Sequence, residues 1–246
     1  MICFTRKLLT NTLSRPALRD KSKYTIYDLR GIIAHWTANT DRGANAIANR
    51  NYFNLGLRYA SAHYNVDDRG PVQCIPDNEV AYHVGATRYK PIGHRLKSGS
   101  NYSPNHFTIG FEMCVNKDGD WEATYEHSLR LAAFLLLKHG KTTDDLYRHF
   151  DVTGKDCPKM MIEEQPWNEF KSGVLLAIEL IKSEITSRGV CTIEELNIRT
   201  GPGMEHPVVG QLYKGEPVME FASEGIWIRI DGNSWVSSKY VDRIAV

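Results

Sequence analysis

The chain has 246 residues, 42% of them hydrophobic, and 30 Lys and Arg against 29 Asp and Glu, a formal net charge of +1. That suffices for one large domain, or a medium domain plus a small one, each with a real core. A balanced charge without a basic block or stripe argues against a nucleic-acid or anionic-membrane partner, and no apolar run approaches the roughly 20 residues needed to span a bilayer.

The first stretch, MICFTRKLLTNTLSRPALRD, is broken by charge, and no secretory signal peptide is expected in it. Strand-like runs follow at GIIAHWTA (31–38), YASAHYNVDD (59–68), PVQCIP (71–76) and HFTIGFEMCV (106–115). Helix-like spacing appears in ANAIANRNYFNL (44–55), YEHSLRLAAFLLLKHG (125–140) and residues 166–187. Residues 85–106 are polar and without periodicity, a loop long enough to suggest a functional role or disorder. Five cysteines without regular spacing speak against a disulfide framework and fit synthesis in a reduced compartment.

Two strands place chemistry on one face. Side chains alternate along a strand, so Ile33, His35 and Thr37 point together. In HFTIGFEMCV the apolar set is Phe107, Ile109, Phe111, Met113 and Val115, which leaves Thr108, Gly110, Glu112 and Cys114 opposite. Glu112 is then either a solvated edge carboxylate or a general base with small neighbours that leave room for substrate.

The segment YRHFDVTGKDCPKM (147–160) gathers His149, Lys155 and Cys157. The His149–Cys157 spacing is too wide for a zinc finger but suits a loop that returns to one point, with Gly154 at the turn. A catalytic zinc takes three protein ligands and keeps one position open; His35 is the natural candidate for the third, although a strand histidine could equally be a hydrogen-bonded core residue. Lys155 could equally be a solvated loop charge. A rival chemistry makes Cys157 a nucleophile with a histidine base, but no histidine follows it before His206 in the C-terminal part.

Near residues 183–192 the texture changes to short β-rich runs separated by Gly, Pro and Asn, the pattern of a small all-β barrel of about 55 residues. The expected organisation is a first domain over 1–182, a linker over 183–190 and a barrel over 191–246. Trp227, Trp235 and Tyr240 are candidates for a ligand groove or for the barrel core.

AHWTAN, SAHYNVDDRGPVQCIPDNEVAYHVG, NHFTIGFEMCVN and RHFDVTGKDCP, in that order, resemble the zinc-dependent N-acetylmuramoyl-L-alanine amidases of phage endolysins and bacterial autolysins, relatives of the peptidoglycan-recognition proteins. The resemblance covers about residues 25–180, and LNIRTGPGMEHPVVGQLYKGEPV with GIWIRI and SWVSSKYV is similar to bacterial SH3-like wall-binding domains. It implies an α/β fold, a mixed central sheet flanked by helices, followed by a small all-β SH3-like barrel. It further implies one Zn2+ held by His35, His149 and Cys157, with Glu112 as catalytic acid and base and Lys155 steadying the reacting oxygen. His83, Trp36 and Asn105 fall at substrate-lining positions. The tyrosine that some phage members carry before the SAHY-like histidine is replaced by Ala62, so no tyrosine-assisted step is expected. The implied partner is peptidoglycan, cut between N-acetylmuramic acid and L-alanine, by a protein made in the cytoplasm and reaching the wall by another route, with no membrane insertion.

Overall fold

The computed structural model describes residues 2–244; Met1, Ala245 and Val246, the outermost residues of the two expected domains, lie outside the described residues. The chain runs β1 (Thr5–Arg6), β2 (Gly31–Trp36), α1 (Ala46–Asn54), β3 (Tyr64–Asp67), β4 (Gly70–Gln73), α2 (Pro91–Leu96), β5 (Thr108–Met113), α3 (Trp121–Lys138), β6 (Leu146–Arg148), α4 (His149–Thr153) and α5 (Glu164–Glu184). These strands form one sheet in the order β1-β4-β3-β5-β2-β6, antiparallel only at β3–β4.

The alternation in β2 and β5 decides which side is core. Ile32, Ala34, Ile109, Phe111 and Met113 are fully buried in one cluster with residues of α3 and α5. The apolar positions of α5 (Trp167, Phe170, Val174, Ala177, Ile178 and Ile181) recur every three or four residues and face that cluster. The opposite face of β2 and β5 carries His35 and Glu112, which leaves it free for the site.

Helix starts follow local capping. Asn45 Oδ1 accepts the Ala48 amide at the start of α1, and Asp120 accepts the Glu122 and Ala123 amides, so α3 begins four residues before the expected Tyr125. The polar stretch 85–106 is not structureless. It holds α2 and a 3-10 turn at Pro104–Phe107, both too short to leave a periodic signature. Leu96 of α2 packs with Ile33, Val84, Tyr147 and Val152 beneath the site.

The C-terminal part adds β7 (Ser187–Cys191), β8 (Glu195–Arg199), β9 (Val208–Tyr213), β10 (Pro217–Glu220), β11 (Ala222–Glu224), β12 (Trp227–Arg229), β13 (Trp235–Ser237) and β14 (Val241–Ile244). They form a three-stranded sheet, β10-β7-β14, and a five-stranded sheet, β11-β12-β13-β8-β9. Most of β7 lies within residues 183–190, so the stretch read as a linker already supplies the first barrel strand. The barrel core is aliphatic, built from Leu196, Ile198, Leu212, Val218, Ile228, Ile230, Val236 and Val241 with Cys191. Trp227 and Trp235 sit on the outer face of β12 and β13, in register with Ser237 and Arg229, and Tyr240 is exposed. These aromatics therefore lie outside the barrel core.

The two parts share a seam. Met219 and Phe221 of the barrel side join the main core, where Phe221 stacks on Phe134. β1 pairs with β4 at the sheet edge, and Arg6 from this strand reaches Asp231 of the barrel at 2.6 Å with both side chains buried. No helix among the described residues is long and apolar enough to cross a membrane.

Candidate metal centre and catalytic groove

His35 and Glu112 are register partners across the parallel β2–β5 pair, near the carboxyl ends of both strands. In open α/β sheets that end is where ligands gather. β6 lies on the other side of β2, pairing Ala34 with Arg148, and α4 starts at the next residue, His149. Arg148 pins this corner through Asp151 and Glu164, each at 2.7 Å, and through the Met161 and Ile162 carbonyls. Gly154 ends α4 with φ 84°, a left-handed conformation that favours glycine. The chain then turns back, and the Phe150 N–H donates to the Cys157 carbonyl at 2.9 Å. A one-turn helix closed by a glycine therefore returns Cys157 to His149.

The result is a buried cluster of His35, His149 and Cys157 whose ligand atoms all lie within 4.8 Å of one another. His35 Nδ1 is 3.1 Å from His149 Nδ1 and 3.6 Å from Cys157 Sγ. Ligands 2.0–2.3 Å from a tetrahedral zinc sit roughly 3.3–3.8 Å apart, so the two separations from His35 Nδ1 are close to that spacing. Two imidazoles and one thiol suit zinc in chemistry as well.

Burial sets the electrostatics. It holds His35 well below the usual histidine range, aided by His149, His83 and Lys155, and it lowers His149 to about 4, with Lys155 adding to the effect. Both rings are therefore neutral at ordinary pH, the form in which an imidazole can bind a metal. Burial pushes the Cys157 thiol up to about 12, and the Glu112 charge works the same way. A thiol held protonated and 2% exposed lacks the thiolate character and access of an activated nucleophile, which speaks against the thiol-peptidase alternative. A divalent ion reverses this balance by favouring the thiolate.

Glu112 Oε2 is buried and has no hydrogen-bond partner among the described residues. Burial pushes its carboxyl up to about 8, with the positive charge of Lys155 acting in the opposite direction. The same lysine influences His35, His149 and Cys157, which places its charge at the mouth of the cluster. Lys155 is exposed and lines an open groove of about 660 Å³ together with His149, His83, Asn105, Tyr59 and Tyr82.

Of the residues expected at substrate-lining positions, His83 and Asn105 border the groove but turn their hydrogen bonds inward. Asn105 Oδ1 accepts the His83 and Val84 amides at 3.2 and 2.8 Å, and His83 bonds His35. Trp36 is half-buried, and its backbone N–H offers a hydrogen bond to Cys157. Sequence reading passed over Tyr59 and Tyr82, whose rings meet edge to face on the groove wall. It also passed over Arg148, which pairs with Asp151 from the N-cap position of a helix too short to leave a periodic signature. Tyr64 points away from the groove, buried against Asp77.

The profile of the N-acetylmuramoyl-L-alanine amidase family matches residues 26–160, and that of the bacterial SH3 domain matches residues 194–242. The chain is 38% identical over 159 residues to a probable N-acetylmuramoyl-L-alanine amidase of Bacillus licheniformis, covering 63% of this chain and 41% of that protein. It is 34% identical over 160 residues to the amidase CwlL of the same organism, covering 63% of this chain and again 41% of the relative. The chain thus spans about two fifths of the length of these curated relatives. Among solved structures, a mutant endolysin from Bacillus subtilis superposes with a TM-score of 0.58 at 28% identity, covering 71% of this chain and 99% of that one. With its family profile spanning more than half of its length, the chain belongs to the N-acetylmuramoyl-L-alanine amidase family.

Proposed function

We propose that this protein is a zinc-dependent peptidoglycan hydrolase of the endolysin or autolysin type that cleaves the amide between N-acetylmuramic acid and the L-alanine of the stem peptide. The observation that carries this reading is the buried cluster of His35, His149 and Cys157, with Glu112 across the β2–β5 pair from His35 and with His149 and Lys155 lining the open groove.

When bound by the three ligands, a zinc ion supplies Lewis acidity that polarises a carbonyl oxygen and makes water more acidic. Glu112 takes the proton from the attacking water on Oε2, then delivers a proton to the leaving L-alanine nitrogen. A carboxyl poised near neutral pH suits both halves of that exchange. Lys155 faces the negative charge that develops on the carbonyl oxygen. Tyr59 and Tyr82 offer ring surface along the groove for the substrate.

The barrel serves as a second, weak attachment that raises the local concentration of the enzyme at the wall. Its outward Trp227 and Trp235 are the candidate contacts.

Mass spectrometry of purified peptidoglycan digests tests the reading. Stem peptides with a free L-alanine amine and no new glycan ends support it. Cuts inside the stem peptide or in the glycan refute it.

A further inference from the structure

Behind the metal cluster lies a row of hydrogen bonds with a single direction. His35 Nε2 is 3.0 Å from His83 Nδ1. The other ring nitrogen of His83 faces the hydroxyl oxygen of Thr108 at 3.2 Å and its carbonyl oxygen at 3.4 Å. The Thr108 hydroxyl donates its only proton to the Pro104 carbonyl at 2.9 Å. Both Thr108 oxygens can therefore only accept, so the proton of a neutral His83 ring sits on Nε2. His83 Nδ1 is then an acceptor, and it takes the Nε2–H of His35. What remains on His35 is a bare Nδ1, the atom that faces His149 Nδ1 and Cys157 Sγ. A backbone carbonyl at the far end thus sets the direction of every bond in the row.

The seat of His83 is built around this ring. Its amide and that of Val84 are held by Asn105 Oδ1. Gly110 lies against the ring, and a Cβ there would collide with the His83 imidazole. Gly110 is itself clasped by His63, whose Nδ1 accepts the Gly110 amide at 3.0 Å. The opposite His63 nitrogen, Nε2, donates to the Glu79 carbonyl at 2.8 Å. The glycine two residues before Glu112 is thereby fixed in place, with room above it for His83.

We propose that His83 is a positioning residue for the metal ligand His35: through the row anchored at Thr108 it holds His35 in the tautomer that leaves Nδ1 free for a divalent ion. The inference rests on the metal reading given above and extends it to a residue outside the ligand set. Second-sphere partners of this kind change metal affinity about 10–100-fold when removed. A His83 that served only to touch substrate would change kinetics and leave affinity for the ion alone.

The test measures zinc affinity of the full chain at one pH by competition with a chromophoric chelator, for the wild type, His83→Leu and His83→Asn. Asparagine carries an oxygen where Nδ1 was and can still accept from His35. His83→Leu should bind zinc about 10–100-fold more weakly, and His83→Asn should recover to within about threefold of the wild type. A long-range proton–nitrogen NMR spectrum of the metal-free wild type should show His35 protonated on Nε2, which keeps the proposal testable if the leucine variant does not fold. Wild-type zinc affinity in His83→Leu, no recovery in His83→Asn, or a proton on His35 Nδ1 overturns it. A wild type that binds no zinc overturns the metal reading instead, while the tautomer still judges the row.

Discussion

His35 and Glu112 stand side by side across β2 and β5, so a candidate metal ligand and the buried carboxyl are spaced by the backbone hydrogen bonds of two parallel strands. No loop motion is needed to bring them together. Lys155 and Cys157, by contrast, arrive on the return from α4, and their placement depends on the turn at Gly154.

Glu112→Gln removes the proton acceptor while keeping the side chain's size. Turnover on peptidoglycan should fall by about 10²–10⁴-fold with zinc content unchanged. Initial rates alongside elemental analysis check this, and loss of metal from the variant would reassign Glu112 to a structural role.

Lys155→Ala removes one charge that faces the developing oxyanion. Loss of a comparable stabiliser costs about 10²–10³-fold in kcat. Steady-state kinetics should show that drop, with zinc still bound. Near-normal turnover would return Lys155 to the status of a solvated loop charge.

Zinc uptake should release protons. The thiol of Cys157, held up to about 12, is protonated at pH 7.5 and must lose its proton to bind the ion, whereas the lowered histidines are already neutral. Calorimetric titrations in buffers of different ionisation enthalpy should report about one proton per ion, and more if Glu112 also ionises. Cys157→Ser should lose most of its affinity, because a hydroxyl is a far poorer zinc ligand than a thiolate.

The metal-free protein should pay for keeping Glu112 neutral. Its folded value is raised from 4.5 to about 8, so above pH 4.5 the unfolded chain releases a proton that the native state retains. This contribution to stability therefore falls as pH rises from about 4.5 to 8 and then levels off. Glu112→Gln removes it, so in chelator its Tm relative to the wild type should be higher at pH 8 than at pH 5. Thermal unfolding at the two pH values decides, and a constant difference would show that the carboxyl is not held protonated by the fold.

The seam between sheet and barrel should be sensitive to Arg6. Removing its side chain strands Asp231, 1% exposed, without its 2.6 Å partner. Breaking a buried pair from one side costs about 3–5 kcal/mol. Arg6→Ala should lower Tm by about 2–4 °C for each kcal/mol lost, measured by calorimetry.

The site was largely legible from residue order because its pieces lie on regular elements. Alternation in HFTIGFEMCV separates Glu112 from the apolar Ile109, Phe111 and Met113, and the structure buries those three against α3 and α5. The turn from His149 to Cys157 was readable from Gly154, although the short helix α4 inside it was not, since five residues carry too little periodicity. The same limit hid α2. The row from Pro104 to His35 had no sequence signature, because it joins segments brought together only by sheet pairing and the packing of Gly110 against His83. The aromatics of the barrel were ambiguous because Trp227 and Trp235 suit either side of a strand, and only register places them outward.

The central claim is that His35, His149 and Cys157 bind one ion between them. A crystal of protein grown with zinc, with diffraction recorded on either side of the zinc absorption edge, tests it most directly. A single anomalous peak within about 2.0–2.3 Å of the two imidazole nitrogens and the sulfur is the predicted result. No peak there, or a zinc ion bound only at other residues, would contradict the account.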